Sequence, residues 1–180
     1  LVFRLNRAAG RYWEARVLWG NIVAMSRSVV SGILIHGDHD PIYRDQAIAW
    51  VAAFALATKS YLRGDTELPM NAFAGILSPD QVLDLERRTH PPVYASDQVR
   101  YCLQQIFRSD ATTPASVAIP RSQQLQLLEE QLNSMIWSGG GNERIKGTPL
   151  PLVYVSHLRT FLLLNLILFP WVFGPGWGWS

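Results

Sequence analysis

The stretch "TPLPLVYVSHLRTFLLLNLILFPWVF", residues 148–173, constrains the chain most: two prolines bracket Leu150, and a long apolar run follows. As one helix, residues 150–173 would be about 36 Å long, enough for a hydrocarbon core of about 30 Å. His157, Arg159 and Asn165 interrupt the run. An arginine at mid-bilayer costs about 2.5–3.5 kcal/mol on insertion scales, so Arg159 must lie near an interface or face protein or water. Counted from Phe161, the run shortens to about 20 Å, a length that also suits a buried soluble helix. The flanks favour a membrane. Arg144 and Lys146 precede the run and Trp171, Trp177 and Trp179 follow it, as a basic cytoplasmic side and an aromatic belt would. Pro170 would kink or end a helix in water, whereas neighbouring helices in a membrane can accommodate it.

Composition agrees with that direction. Charged residues make up 17% of the chain, against roughly 25% in soluble domains. A net charge of +2 with no Lys/Arg run leaves nothing to track phosphates, which excludes a nucleic-acid partner. The single cysteine, Cys102, allows no internal disulfide and reads as a small buried hydrophobe. Leu1 at the start and "GPGWGWS" at the end predict a piece of a longer chain.

The remaining pattern is helical. Residues 1–35 contain no proline, and Arg4, Arg7, Arg11 and Glu14 recur at helical spacing, a narrow polar stripe that must face something polar. "HGDHDP" at 36–41 breaks this helix, and Asp40–Pro41 supplies a cap and a first-turn proline for the next. That second helix should end at Gly64 and turn Ile42, Ala49, Ala52, Ala53, Leu56 and Leu62 inward. "SPDQ" at 78–81 has the form of a capping box opening a helix over 79–89, which "HPP" at 90–92 should stop. A further helix is expected from Ala95 to Arg108, then an aperiodic connection. Leu125, Leu128, Leu132, Met135 and Ile136 predict an amphipathic helix over 122–137, stopped by "SGGG". With no alternating strand pattern and no repeat, the fold class is all-α.

Enzymatic groupings are missing from the sequence. It carries no paired carboxylates, no Ser-His-Asp motif and no Gly-rich loop opening a helix after a strand, so neither an enzyme nor a cofactor is expected. His36, Asp38, His39 and Asp40 are the one cluster with metal-ligand chemistry, and their place in an interhelical turn reads as caps rather than a metal site.

Four stretches in order resemble the bestrophin family. "LVFRLNRAAGRYWEARVLWG" at 1–20 is similar to the "FRxNxAYDRWWEGRxLWG" pattern that ends the second transmembrane helix of bacterial and plant-type members. "GGGNERIKGTPLPLVYVSHLRTFLLLNLILFPWVF" at 139–173 resembles the "GGCERIxxTPIPxxYxxHxRxFLxLYLxLLPF" run leading into the third. "AAFALATKSYLRG" and "LERRTHPP" resemble cytosolic helices between them. The resemblance implies a protomer of a pentameric, multi-pass ion channel that passes chloride and other small anions passively through a prokaryotic inner membrane or a plant organelle membrane.

It also implies an organisation. Residues 1–35 would be the end of a transmembrane helix continuing into a cytosolic one, 36–141 a helical cytosolic region, 142–173 an aperture turn and transmembrane helix, and 174–180 an interfacial loop. Phe3 would line the pore neck and Leu150 the cytosolic aperture, framed by Pro149 and Pro151. Apolar rings around a symmetric axis can gate by dewetting, and the two prolines would stiffen the Leu150 corner. Arg4, Arg7 and Arg11 would lie just below the neck. There they would either raise the local anion concentration or be paired, Arg11 with Glu14 and Arg144 with Glu14 or Glu143. Ala9 and Gly10 replace the family's Tyr and Asp, Asn142 its Cys, and Val93 an Asn. The alternative reading is a soluble or peripheral all-α binding module that uses its Trp-rich end as an interaction surface.

Overall fold

Local chemistry sets the first boundaries. The structure, a computed structural model, describes residues 2–65, 67–109, 113–148 and 152–173, with side chains for all of these but 2–5, 152–154 and 171–173. Seven helices and no strand form among them: α1 Val2–His36, α2 Pro41–Arg63, α3 Met70–Phe73, α4 Pro79–Glu86, α5 Pro91–Ile106, α6 Ala115–Gly147 and α7 Leu152–Phe173. The all-α expectation holds. Asp40 caps α2 by accepting from the Tyr43 N–H with Pro41 in the first turn, and Gly64 closes the helix at φ 78°, giving its N–H to Ser60 and Tyr61. Ser78 and Gln81 form the reciprocal capping box of α4.

Gly64 lies in the left-handed region, where a Cβ crowds the following carbonyl. Gly64→Ala should therefore lower stability by about 1 kcal/mol. The check is the thermal transition of the detergent-solubilised protein, and an unchanged midpoint would contradict it.

Four long helices make two antiparallel pairs, α1 with α6 and α2 with α5, which share one core. Aromatic contacts mark the second pair: Tyr43 meets Tyr101 edge-on with centroids 6.2 Å apart, and Trp50 meets Tyr94 at 5.9 Å. Between the pairs lie Ile22, Val29 and Ile33 of α1, Phe54 and Ala57 of α2, Val99, Leu103 and Ile106 of α5, and Leu132 and Met135 of α6, all essentially without solvent contact. The short α3 and α4 close one side with Phe73, Val82 and Leu85, and the Glu86 carboxylate accepts from the Leu68 N–H at 2.9 Å.

The structure corrects four sequence expectations. "HPP" does not stop α4 so much as start α5: His90 caps that helix and Pro91 takes its first position, so α5 begins four residues before Ala95. The short α3 was not foreseen. On α2, Ile42 is 69% exposed and Ala52 is also outward, while Trp50, Phe54 and Ala57 are buried. The inward face was taken one position off along part of the helix.

The largest difference is α6, 33 residues long where 16 were expected. It begins at Ala115 and carries Pro120 inside it, in its second turn, at the loss of one backbone bond. Its first turns are exposed, with Val117 and Ile119 outward, so no apolar period marks them. At the other end the helix runs straight through Gly139, Gly140 and Gly141. Each interior glycine costs about 1 kcal/mol relative to alanine, and a close approach explains Gly141 alone: a Cβ there would stand 2.8 Å from Leu18 Cδ1, whereas one on Gly139 would meet Phe54 Cζ at an ordinary 3.5 Å and one on Gly140 would face open space.

Candidate functional site: the α1–α6 seam and the α6–α7 junction

The residues marked out by sequence gather where α1 runs alongside the end of α6. Paired contacts fix the antiparallel register: Glu14 with Arg144, Asn21 with Ser138, Ser26 with Met135, and Gly32 with Leu128. Arg7, Arg11 and Glu14 share the face of α1 that continues downward as Leu18, Ile22 and Val29. That face is buried by α6 until α6 stops at Gly147. The polar partner required by the charged stripe is thus the carbonyl end of a helix.

Arg11 makes the central contact. Its two terminal nitrogens donate separately to the carbonyls of Thr148 and Ile145. Both belong to the last turn of α6, where carbonyls lack intrahelical donors and the helix dipole favours a cation. Thr148 assists, its hydroxyl donating to the Arg144 carbonyl at 2.6 Å. The expected Arg11–Glu14 pair is not among the ion pairs of the described residues: Arg11 is engaged by the two carbonyls. Glu14 instead accepts from Arg144 at 3.1 Å, one of the two pairings foreseen for Arg144. Both side chains are at least half exposed, so this pair contributes about 0–1 kcal/mol.

Glu143 turns the other way, toward α5, with its carboxylate 3.2 Å from His90 Nε2. One turn on, Lys146 donates to the Tyr61 carbonyl at 2.7 Å and lies over the Tyr61 ring. The last turn and a half of α6 is therefore tied to α1, α2 and α5. Of this set, sequence reasoning missed Lys146, Tyr61, Asn21, Ser134 and Ser138. The Asn21 amide donates to both serines, at 3.2 and 2.6 Å. Asn21 shares the face of Glu14 and Leu18, a helical-spacing signal that could have found it.

Other expected residues can be placed less fully. Phe3 and Arg4 lie in the first turn of α1, where only the backbone is described, and Arg7 is exposed. Pro149, Leu150 and Pro151 lie outside the described residues. The His36–Asp40 turn supports structure: Asp38 pairs with Arg44 at 2.9 Å, Asp40 caps α2, and His39 Nε2 lies 2.6 Å from the Ile106 carbonyl. Among the described residues no group of three His, Cys, Asp or Glu side chains is placed to hold a metal. Burial pushes the Cys102 thiol up to about 11, which leaves it protonated and unreactive. A 340 Å³ groove lined by Ser28, Ser31, Gln124 and Leu127 lies between α1 and α6. Gln131 also lines this groove, and its side-chain carbonyl oxygen is buried without a hydrogen-bond partner.

Beyond the junction comes α7. From Phe161 to Phe169 its large apolar side chains are mostly more than half exposed, and among the described residues it packs against no other helix. Its polar groups bond within the helix: Thr160 to the Ser156 carbonyl at 3.1 Å and Asn165 to the Phe161 carbonyl at 2.8 Å. Such back-bonding lets them sit in an apolar medium. By length and composition alone, α1 over Asn6–His36 also qualifies as one helix able to cross a membrane, and Val155–Pro170 is a shorter apolar helix.

These features define a class: an all-α chain of two antiparallel helix pairs carrying an exposed apolar helix that, among the described residues, packs against no other helix. The family model described as Bacterial/Fungal Bestrophin protein matches residues 1–180, and the chain belongs to that family. A voltage-dependent anion channel-forming protein of Nostoc sp. is 32% identical over 184 residues, covering 99% of this chain and 56% of the relative. Voltage-dependent chloride channel 1, chloroplastic, of Arabidopsis thaliana is 26% identical over 91% of this chain and 37% of its own length. The chain thus spans little more than half of the curated relatives it matches most strongly. A bacterial bestrophin homolog from Klebsiella pneumoniae superposes with a TM-score of 0.79 at 21% identity, over 97% of this chain and 62% of that one, and so shares the fold.

Proposed function

We propose that the chain is part of a protomer of a membrane ion channel, assembled as a homo-oligomer of the family's pentameric kind, that passes chloride and other small anions without catalysis. The observation that carries this reading is α7, whose large apolar side chains are mostly more than half exposed and which, among the described residues, packs against no other helix; lipid would cover that surface. At 22 residues the helix is about 33 Å long, enough for a hydrocarbon core of about 30 Å with His157 and Arg159 toward one interface. The names of the relatives support an anion as cargo. In this reading residues 1–35 leave the membrane as α1, 36–141 lie in the cytosol, and α7 returns.

Phe3 is proposed to line an apolar neck. Leu150, framed by Pro149 and Pro151, is proposed to build a second apolar ring at the cytosolic aperture. Arg11 serves chiefly to fasten the helix ends, leaving Arg4 and the exposed Arg7 to supply positive field to the path.

The test is a planar-bilayer recording of the purified full-length protein in asymmetric salt. A reversal potential displaced toward that of chloride is expected. A protein that stays monomeric in buffer without detergent and carries no current would overturn the reading. The alternative, a soluble or peripheral module binding through its Trp-rich end, draws on Trp171, Trp177 and Trp179, whose side chains lie outside those described, and leaves the exposed apolar face of α7 unexplained.

A further inference from the structure

His90 occupies a position that neither the family resemblance nor the proposed channel accounts for. Its ring touches three helices. Nδ1 accepts the Val93 N–H at 3.4 Å and so caps α5. Nε2 lies 3.2 Å from the Glu143 carboxylate of α6. The ring packs on Tyr61 of α2 with centroids 4.5 Å apart. Each contact assigns a proton. A carboxylate accepts only, so Nε2 carries the hydrogen, and Nδ1 must present a lone pair to the amide. Both contacts are met by one neutral tautomer, the Nε2–H form.

A second proton has one place to go, Nδ1. Once there it faces the Val93 N–H, donor against donor, at the positive end of the α5 dipole. The same proton turns the Nε2 contact into an ion pair with Glu143. Protonation therefore weakens one tie and strengthens the other. We propose that His90 is a proton-operated clasp: neutral, it caps α5 and tethers it to α6; protonated, it releases the first turn of α5 and holds to Glu143 alone.

The surroundings suit such a device. The His90 and Glu143 side chains are 33% and 28% exposed, sheltered yet within reach of solvent protons. The other charged or titratable groups facing the ring are Glu143 and Lys146 on α6 and Tyr61 on α2. Just ahead of His90, Arg88 is occupied by Asp84 at 2.9 Å. Glu143 stands in the closing turns of α6, so the clasp sits where the helical body leads toward α7.

The test is hydrogen exchange at the Val93 and Tyr94 amides of the full-length protein, corrected for the intrinsic pH dependence of exchange. Imidazoles as a class change charge between about pH 5 and 8. Lowering the pH from 8 to 5 should raise corrected exchange at these amides about fivefold, the effect of losing one N-cap. In His90→Asn an amide oxygen caps without titrating, and the rise should vanish while Glu143, Lys146 and Tyr61 remain. A flat wild-type profile, or a rise that survives in H90N, overturns the clasp. The readout needs no ion current, so it stands or falls separately from the channel reading.

Discussion

Phe54→Ala is expected to cost about 3–5 kcal/mol and to leave little or no cooperative unfolding transition in the detergent-solubilised protein. Phe54 is 2% exposed and reaches from α2 to the bare backbone of Gly139 on α6. Alanine would remove the ring and leave a cavity in the core shared by the two helix pairs, bordered on α6 by Gly139. Since a domain has only about 5–15 kcal/mol in total, the loss is a large share. Phe54→Leu keeps much of the volume and should cost less than half as much. The measurement is thermal unfolding by circular dichroism. An F54A protein that melts with the wild type would mean that the two helix pairs are not joined by this core.

Arg11→Lys is expected to behave as a loss despite conserving charge. The guanidinium spans two carbonyls, Ile145 and Thr148, with two different nitrogens; a lysine ammonium is a compact donor that does not reproduce a planar fork. Hydrogen bonds from charged groups contribute about 1.5–3 kcal/mol, less where solvent screens them as it does here, so a change of about 1–2 kcal/mol is expected. In hydrogen exchange this is a factor of about 5–30 at the amides of residues 145–148, with the middle of α6 unaffected. If Arg11 worked only through its field on passing ions, R11K would leave both exchange and current–voltage curves unchanged. The paired and focusing roles proposed from sequence are separated by this one substitution, and the geometry favours the paired one with a carbonyl end as the partner.

Features set by neighbours in sequence were legible at once. The Asp40 cap, the Ser78–Gln81 box and the left-handed Gly64 each depend on hydrogen bonds spanning a few residues, and those bonds form much the same way in any fold. His90 was read as a stop because proline and histidine after a short helix look alike whether one helix ends or another begins. The charged stripe Arg7–Arg11–Glu14 was visible by spacing. Its partner was not, since the Arg11–Thr148 contact joins residues 137 apart. Glycines at 139–141 misled for a related reason: local propensity counts their cost, and only the Leu18 side chain facing Gly141 reveals what smallness permits there.

Taken by itself, the sequence determined the helical class, the starts of α2 and α4, the apolar composition of α7 and the family, because periodicity, caps and motif order are local or ordered along the chain. Tertiary structure alone decided that α6 continues for 33 residues, that Arg11 holds its end, and that His90 and Glu143 meet. Those outcomes depend on which surfaces are brought together once α1 lies antiparallel to α6, and burial energy at that seam outweighs the local preferences that would have ended the helix sooner.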